Sequence, residues 1–117
     1  QRHQSSPGVT IREDHLHDYR LSLREPGNIH GMCEDYRAGW HVDRVLDEQD
    51  RGKRFIQAPL LALWGRDGNV AKAQPLDIWR QWAHQVQGRE LPGGHFLPEE
   101  ASEQVTQELR AFFTALI

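Results

Sequence analysis

The spacing of hydrophobic positions divides the chain at about residue 54. From residue 1 to residue 54 the sequence is polar and charged, and its apolar residues recur at intervals of three and four, which is the spacing of one helix face. From residue 55 to residue 117 the pattern changes to strand, helix, short strand and helix. We therefore predict a helical part in residues 1–54 and a layered α/β part with parallel strands in residues 55–117.

Two helices and a connecting segment are predicted in the first part. Thr10 is a candidate N-cap residue, because Glu13 would complete a capping box with it, and Pro26–Gly27 is expected to end the first helix. A second helix is predicted from an apolar stripe at helical spacing. The stripe consists of Ile29, Met32, Cys33, Tyr36 and Trp40. The acidic segment Val45–Phe55 is expected to connect this helical layer to the second part.

The second part begins with a strand. Ile56–Gly65 is a short, nearly continuous apolar run that ends in glycine, as is typical of a strand buried on both faces of a parallel sheet. Pro59 is expected near the first residue of this strand, because a proline in mid-sheet removes a hydrogen-bond donor. Pro75 is predicted to begin a helix that Gly88 ends, and Arg89–Leu91 to form a second, short strand.

His95 is the candidate catalytic residue of the second part. It lies in the segment GGHFLPEE, between the second predicted strand and a final helix that begins at about Glu99. That helix is expected to bury Val105, Leu109, Phe112 and Leu116. Ligands of α/β sheets bind at the carboxyl ends of strands, and an imidazole can take up and release a proton near neutral pH. Without further signals, however, a histidine in a glycine-rich loop is more often a solvated or hydrogen-bonded surface residue.

The composition argues against several classes of partner. The net charge is −3 and the Lys and Arg residues are dispersed, so we expect neither nucleic acid nor a membrane as a partner. Cys33 is the single cysteine, which suits a reducing compartment, and a cytoplasmic location is expected. The chain begins at Gln1 without a methionine or a signal peptide, and two strands are few for such a sheet. We therefore expect a C-terminal fragment of a larger protein.

Several stretches of the sequence resemble one enzyme family. The order of PLLALWG, a helix, GGHFLPEE and a terminal amphipathic helix resembles the last part of an α/β hydrolase. The stretches HGMCEDYRAG (His30–Gly39) and QPLDIWRQWAHQVQG (Gln74–Gly88), together with GHFLPEE, resemble the fluoroacetate dehalogenases, also called haloacetate dehalogenases. The resemblance implies the C-terminal part of a helical cap domain in residues 1–54 and the C-terminal part of an α/β-hydrolase core in residues 55–117.

The resemblance also implies a mechanism. In this family an aspartate displaces halide from the carbon next to a carboxylate, and a histidine-activated water hydrolyses the resulting ester. His95 matches that histidine, and Tyr36 matches a cap tyrosine whose hydroxyl helps to hold the leaving halide. Without the resemblance, Tyr36 would be interpreted as a core aromatic residue. A haloacid and water are the implied partners, no cofactor or metal is implied, and a homodimer is one possible assembly.

Two expected carboxylates are absent from the sequence. None of the 117 residues forms a Gly-x-Ser-x-Gly or Gly-x-Asp-x-Gly motif, so the nucleophile is expected upstream of Gln1 and the fragment alone is predicted to be inactive. The acid of many α/β hydrolases follows the strand glycine by three positions, where this chain has Gly68. Fluoroacetate dehalogenases carry the acid one strand earlier. Asp67 is the rival candidate, although Asp-Gly is also a common turn pair.

Alternative interpretations stay open. An epoxide hydrolase or a haloalkane dehalogenase would share the cap, the aspartyl ester and the late histidine, and an inactive truncated hydrolase could serve as a binding partner. His15 and His17 would lie on different helix faces, so solvated histidines are favoured over a metal site. Acidic neighbours disfavour a thiolate at Cys33, which is expected to pack against a helix. Trp40 is a candidate for lining the substrate channel, and Glu99–Glu100 suits the positive end of the last helix without a catalytic role.

Overall fold

The chain folds into two units, a helical unit and an α/β unit. The structure is a computed structural model that describes residues 11–116. The helical unit comprises residues 11–54, and the α/β unit comprises residues 55–116. Among residues 11–116 no helix is both long and apolar enough to cross a membrane.

The helical unit contains three α-helices. They are α1 (Glu13–Ser22), α2 (Pro26–Ala38) and α3 (Arg44–Asp50), and a π-helical turn (Gly39–Asp43) joins α2 to α3. Thr10, the predicted N-cap residue, lies outside the described residues. The predicted capping box is wrong, because Arg12 occupies the N-cap position and Glu13 is already the first helical residue. The Arg12 guanidinium hydrogen-bonds the Asp14 carboxylate at 3.1 Å and thereby lowers the pKa of Asp14.

Two further predictions for the helical unit are wrong. Pro26 begins α2 instead of ending α1, since a proline at the first helical position lacks only an N–H that would have no partner there. The segment predicted as a connection contains helix α3, which the ion pair Arg51–Glu48 at 3.2 Å supports. The turn that follows α3 is confined to the residues around Gly52, whose φ of 72° lies in the left-handed region that favours glycine.

The apolar stripe of α2 does not form a core within the helical unit. Ile29, Met32 and Tyr36 are exposed, and so is Trp40, which lies in the π-helical turn. Cys33 is also exposed, so its thiol has no helix to pack against within residues 11–54. The spacing predicts an apolar face on α2, and this face has no partner within residues 11–54.

The α/β unit is built on two parallel strands. Its elements are β1 (Leu60–Gly65), a 3-10 turn (Asn69–Ala73), α4 (Pro75–Trp79), β2 (Val86–Leu91), α5 (Leu97–Glu100) and α6 (Ser102–Thr114). The pairing runs from Leu60 opposite Val86 to Gly65 opposite Leu91, so both strands end at the same level. The predicted α/β class, the parallel pairing, Pro59 just before the first strand and Pro75 at the start of a helix are all confirmed.

The boundaries of three elements differ from the prediction. β2 begins at Val86, three residues before the predicted start at Arg89. β1 begins four residues later than predicted, because Ile56 forms only an isolated parallel bridge with Ala83. The helix that begins at Pro75 ends at Trp79, and Gly88 lies inside β2 instead of ending a helix. A Cβ atom on Gly88 would lie 1.9 Å from the carbonyl O of Ala62 on the neighbouring strand. The glycine therefore permits a close approach of two backbones.

The core of the α/β unit lies where β2 leads into the last helices. Leu91, Leu97 and Ala101 are buried together, and the partly buried Leu63 and Val105 pack against them. Full burial of a leucine contributes about 1.5–3 kcal/mol. The predicted final helix is interrupted at Ala101, where φ is −137° and ψ is 41°, and so becomes α5 and α6. The predicted burial is therefore only partly right. Val105 and Phe112 are half-buried, whereas Leu109 and Leu116 are exposed.

We expect Gly88→Ala to lower the free energy of unfolding of the full-length protein by at least about 2 kcal/mol, because a methyl group cannot share the space of a backbone carbonyl. Gly31→Ala is the control, since a Cβ there meets nothing within 4 Å and the residue lies within α2. Alanine should stabilise that helix by up to about 1 kcal/mol. Urea unfolding midpoints measure both effects. An unchanged midpoint for Gly88→Ala would contradict the close approach of the two strands.

Candidate functional site

Two loops meet at the carboxyl ends of the strands. We name residues 66–68, which follow β1, the β1 loop, and residues 92–96, which follow β2, the His95 loop. A Cβ atom on Gly65 would lie 2.1 Å from the carbonyl O of Gly94, so glycine is required where β1 ends. In the His95 loop, Gly93 has a φ of 143°, a conformation that other residues rarely adopt.

Backbone hydrogen bonds join these two loops. The N–H of Arg66 donates to the carbonyl of Leu91 at 3.0 Å, which continues the ladder of the sheet by one residue. The N–H of Asp67 donates to the carbonyl of Gly93 at 2.9 Å. Backbone hydrogen bonds thus hold the first half of the His95 loop against the β1 loop.

The second half of the His95 loop is anchored by Glu100. One carboxylate oxygen, Oε2, accepts a hydrogen bond from the N–H of Gly94 at 2.7 Å, and Oε1 accepts one from the N–H of Phe96 at 3.1 Å. In return, the N–H of Glu100 donates to the carbonyl of Phe96 at 3.0 Å. The sequence analysis assigned Glu100 only a favourable position at a helix end. An acidic residue a few positions after a helix entry is the capping-box signal that could have revealed it.

His95 lies between these anchors with its side chain exposed. Its ring contacts Phe96 edge to face, with the ring centroids 5.1 Å apart and an angle of 77° between the planes. Within the α/β unit no hydrogen bond or ion pair involves His95 itself, so the imidazole is available to a ligand or to water. The backbone around it is fixed, whereas the ring is in contact with only one neighbouring aromatic side chain.

A mainly apolar cavity of about 290 Å³ lies beside the His95 loop. Leu63 and Trp64 of β1 line it together with Leu97 of α5 and Val105 of α6, and His95 also contributes to its lining. An apolar cavity with one titratable side chain at the carboxyl ends of parallel strands is a common form of binding site.

Neither position considered for the triad acid supplies a carboxylate to His95 in the described residues. Gly68 is buried and carries no side chain, and its Cβ position lies 3.3 Å from the backbone carbon of Gly94. Asp67 is bound to the His95 loop through its backbone, but no hydrogen bond joins its carboxylate to the imidazole of His95 within residues 55–116. The identity of the acid therefore stays a prediction.

Tyr36 belongs to α2 of the helical unit. Its side chain is 82% exposed, so its hydroxyl is accessible to a ligand. On the same helix Glu34 forms an ion pair with Arg37, and the ring of His30 lies 3.9 Å from the Glu34 carboxylate. Trp40 is exposed as well, and the guanidinium of Arg44 lies 5.1 Å from the centre of its indole. Tyr36 and His95 lie in different units, and each is described within its own unit.

The described residues contain no cluster of metal ligands. Nowhere in residues 11–116 do three or more His, Cys, Asp or Glu side chains come together as a metal site would require. His15 is half-buried and His17 is exposed, which agrees with their expected placement on different faces of α1.

Two curated enzymes are similar to this chain over most of its length. No family model matches the sequence. A curated fluoroacetate dehalogenase from a Burkholderia species is 33% identical over 102 residues, which cover 86% of the chain and 33% of that protein. A soluble epoxide hydrolase from Corynebacterium sp. (strain C12) is 29% identical over 112 residues, which cover 95% of the chain and 37% of that protein. The chain thus spans about a third of the length of these relatives.

A solved structure extends the comparison to three dimensions. A protein from Nostoc sp PCC 7120, provisionally assigned as an α/β hydrolase, is 38% identical and has a TM-score of 0.86 to this chain. The match covers 95% of this chain and 38% of the Nostoc protein. The similarity in fold therefore extends over nearly the whole chain.

Proposed function

We propose that this chain, which has the fold of the C-terminal part of an α/β hydrolase, supplies the water-activating histidine of a haloacetate dehalogenase. The observation that carries the proposal is the position of His95. It follows the last residues of a parallel strand, hydrogen bonds hold the backbone on both sides of it, and its exposed side chain is among those that line an apolar cavity. The similarity to a fluoroacetate dehalogenase supports the choice of substrate class.

In the proposed reaction, an aspartate outside this chain attacks the carbon that carries the halogen. The carbon–halogen bond breaks, halide leaves, and an ester forms between the substrate and the aspartate. His95 then takes a proton from water as the oxygen of that water attacks the ester carbonyl. Collapse of the intermediate regenerates the aspartate and releases glycolate, and the imidazolium returns its proton to solvent before the next turnover.

Tyr36 is proposed to hold the leaving halide. A phenol can donate a hydrogen bond to the charge that develops on fluoride, and fluoride needs such help more than chloride does because it is the poorer leaving group. The exposure of the Tyr36 side chain on α2 is compatible with this role, and the resemblance of MCEDYRAG to the cap of the dehalogenases supports it. Residues 1–54 are accordingly proposed to be the C-terminal part of the cap.

An epoxide hydrolase is the second candidate function. The match to a soluble epoxide hydrolase covers more of the chain than the match to the dehalogenase, although the identity is lower. Both reactions use an aspartyl ester and a late histidine, so His95 would keep its role. A neutral epoxide substrate instead of a haloacid would distinguish them. An inactive truncated hydrolase that acts as a binding partner is the third candidate.

Replacing His95 by Asn should separate the two chemical steps in the full-length protein. The first turnover should still release a stoichiometric burst of fluoride from fluoroacetate, because the aspartate needs no base. Steady-state turnover should fall on the order of 10²- to 10⁴-fold, since the water loses its base. The ester should be visible as a mass increase on the intact protein. Unaffected steady-state turnover would rule out the proposed role.

Tyr36→Phe should slow fluoride release roughly 10- to 100-fold, which corresponds to the loss of one hydrogen bond to a charged group. Release of chloride from chloroacetate should slow only a few-fold, because chloride leaves more easily. Single-turnover halide release with both substrates measures the difference. Equal slowing with the two substrates would indicate a structural role for Tyr36.

The chain of 117 residues, expressed alone, is expected to release no fluoride from fluoroacetate, because its sequence contains no nucleophile motif. The full-length protein, assayed in parallel with the same ion-selective electrode, is the positive control. Turnover by the isolated chain would show that the nucleophile lies within these residues.

A further inference from the structure

We propose that Glu100 is a positioning residue that holds the His95 imidazole in place for attack of water on the ester. This inference rests on the proposed function of His95. The two oxygens of the Glu100 carboxylate accept the backbone N–H groups of Gly94 and Phe96, the residues immediately before and after His95. The histidine is thus bracketed by two hydrogen bonds to one carboxylate.

Within the described residues of the α/β unit, no other hydrogen bonds take the place of these two bonds to Glu100. No hydrogen bond there involves His95 itself, so its location depends on what holds its two neighbours. On the upstream side, Gly93 is anchored to the N–H of Asp67 at 2.9 Å. Downstream of this point, the two bonds to Glu100 are the only hydrogen bonds that the N–H groups of Gly94 and Phe96 make within residues 55–116.

The two hydrogen bonds to the Glu100 carboxylate are strong enough to hold the backbone around His95 in place. Hydrogen bonds to a charged carboxylate are stronger than bonds between neutral groups, and the bond from Gly94 is part-buried, where water competes less. The backbone of Glu100 is itself bonded to Phe96, so the side chain and the main chain of one residue both hold the loop. Gly93 fits closely against this residue, since a Cβ on Gly93 would lie 3.4 Å from Cβ of Glu100.

Ester formation and ester hydrolysis should depend differently on the two hydrogen bonds to Glu100. Ester formation requires no base, whereas ester hydrolysis requires the imidazole within hydrogen-bonding distance of water, and a displacement of about 1 Å can cost on the order of 10²-fold in rate. Glu100 should therefore influence the second step alone. A residue with a merely structural role would affect both steps, through loss of folded protein.

The test uses Glu100→Ala, Glu100→Gln and Glu103→Ala in the full-length protein. Glu103 is exposed in the first turn of α6 and controls for loss of one negative charge nearby. We expect Glu100→Ala to keep the fluoride burst but to slow ester hydrolysis roughly 10- to 100-fold. Glu100→Gln retains one acceptor oxygen and should fall between Glu100→Ala and the parent, and Glu103→Ala should match the parent. Amide hydrogen exchange of Gly94 and Phe96 should accelerate in Glu100→Ala.

Two results would overturn the inference while leaving the proposed function intact. One is accumulation of the ester in the His95→Asn variant together with an unchanged rate of ester hydrolysis in the Glu100→Ala variant. The other is an equal loss of burst and hydrolysis in both Glu100 variants at an unchanged fraction of folded protein. Failure of the parent itself to release halide would instead reject the proposed function, and the inference with it.

Discussion

The α/β unit depends on a contact between two stretches of backbone that have no side chain between them. The carbonyl of Gly94 occupies the position that a Cβ of Gly65 would need, so the end of β1 and the His95 loop can touch directly. This approach allows the N–H of Asp67 to reach Gly93. A side chain at Gly65 would force the loops apart, and the exposed imidazole would then have no defined location relative to the strands.

Features that follow from the local chemistry of one residue could be predicted from the sequence. Pro59 and Pro75 restrict their own backbone and donate no hydrogen bond, so their positions at element starts were correct. Gly88 was misassigned because glycine serves both as a helix terminator and as a point of close approach between strands. Only the position of the Ala62 carbonyl distinguishes the two, and it is set by pairing across more than twenty residues of sequence.

The candidate site could be predicted only where its features follow from local sequence. The order of strand, glycine turn and histidine indicated His95 at the carboxyl end of the sheet, where the structure places it. Glu100 was missed because its role depends on the loop folding back over the first turn of α5. The stripe on α2 shows the opposite limitation. Its spacing identified a face, but spacing carries no information about which surface covers that face.

The parallel register has a consequence for how this region can vary. Because Gly65 pairs with Leu91, the sheet itself sets the level at which both strands end, and the crossover between them does not. Insertions or deletions in the exposed part of that crossover, for example around Lys72, can change its length without displacing the histidine. Changes in the length of the crossover can therefore add surface to the protein without moving His95 relative to the ends of the two strands.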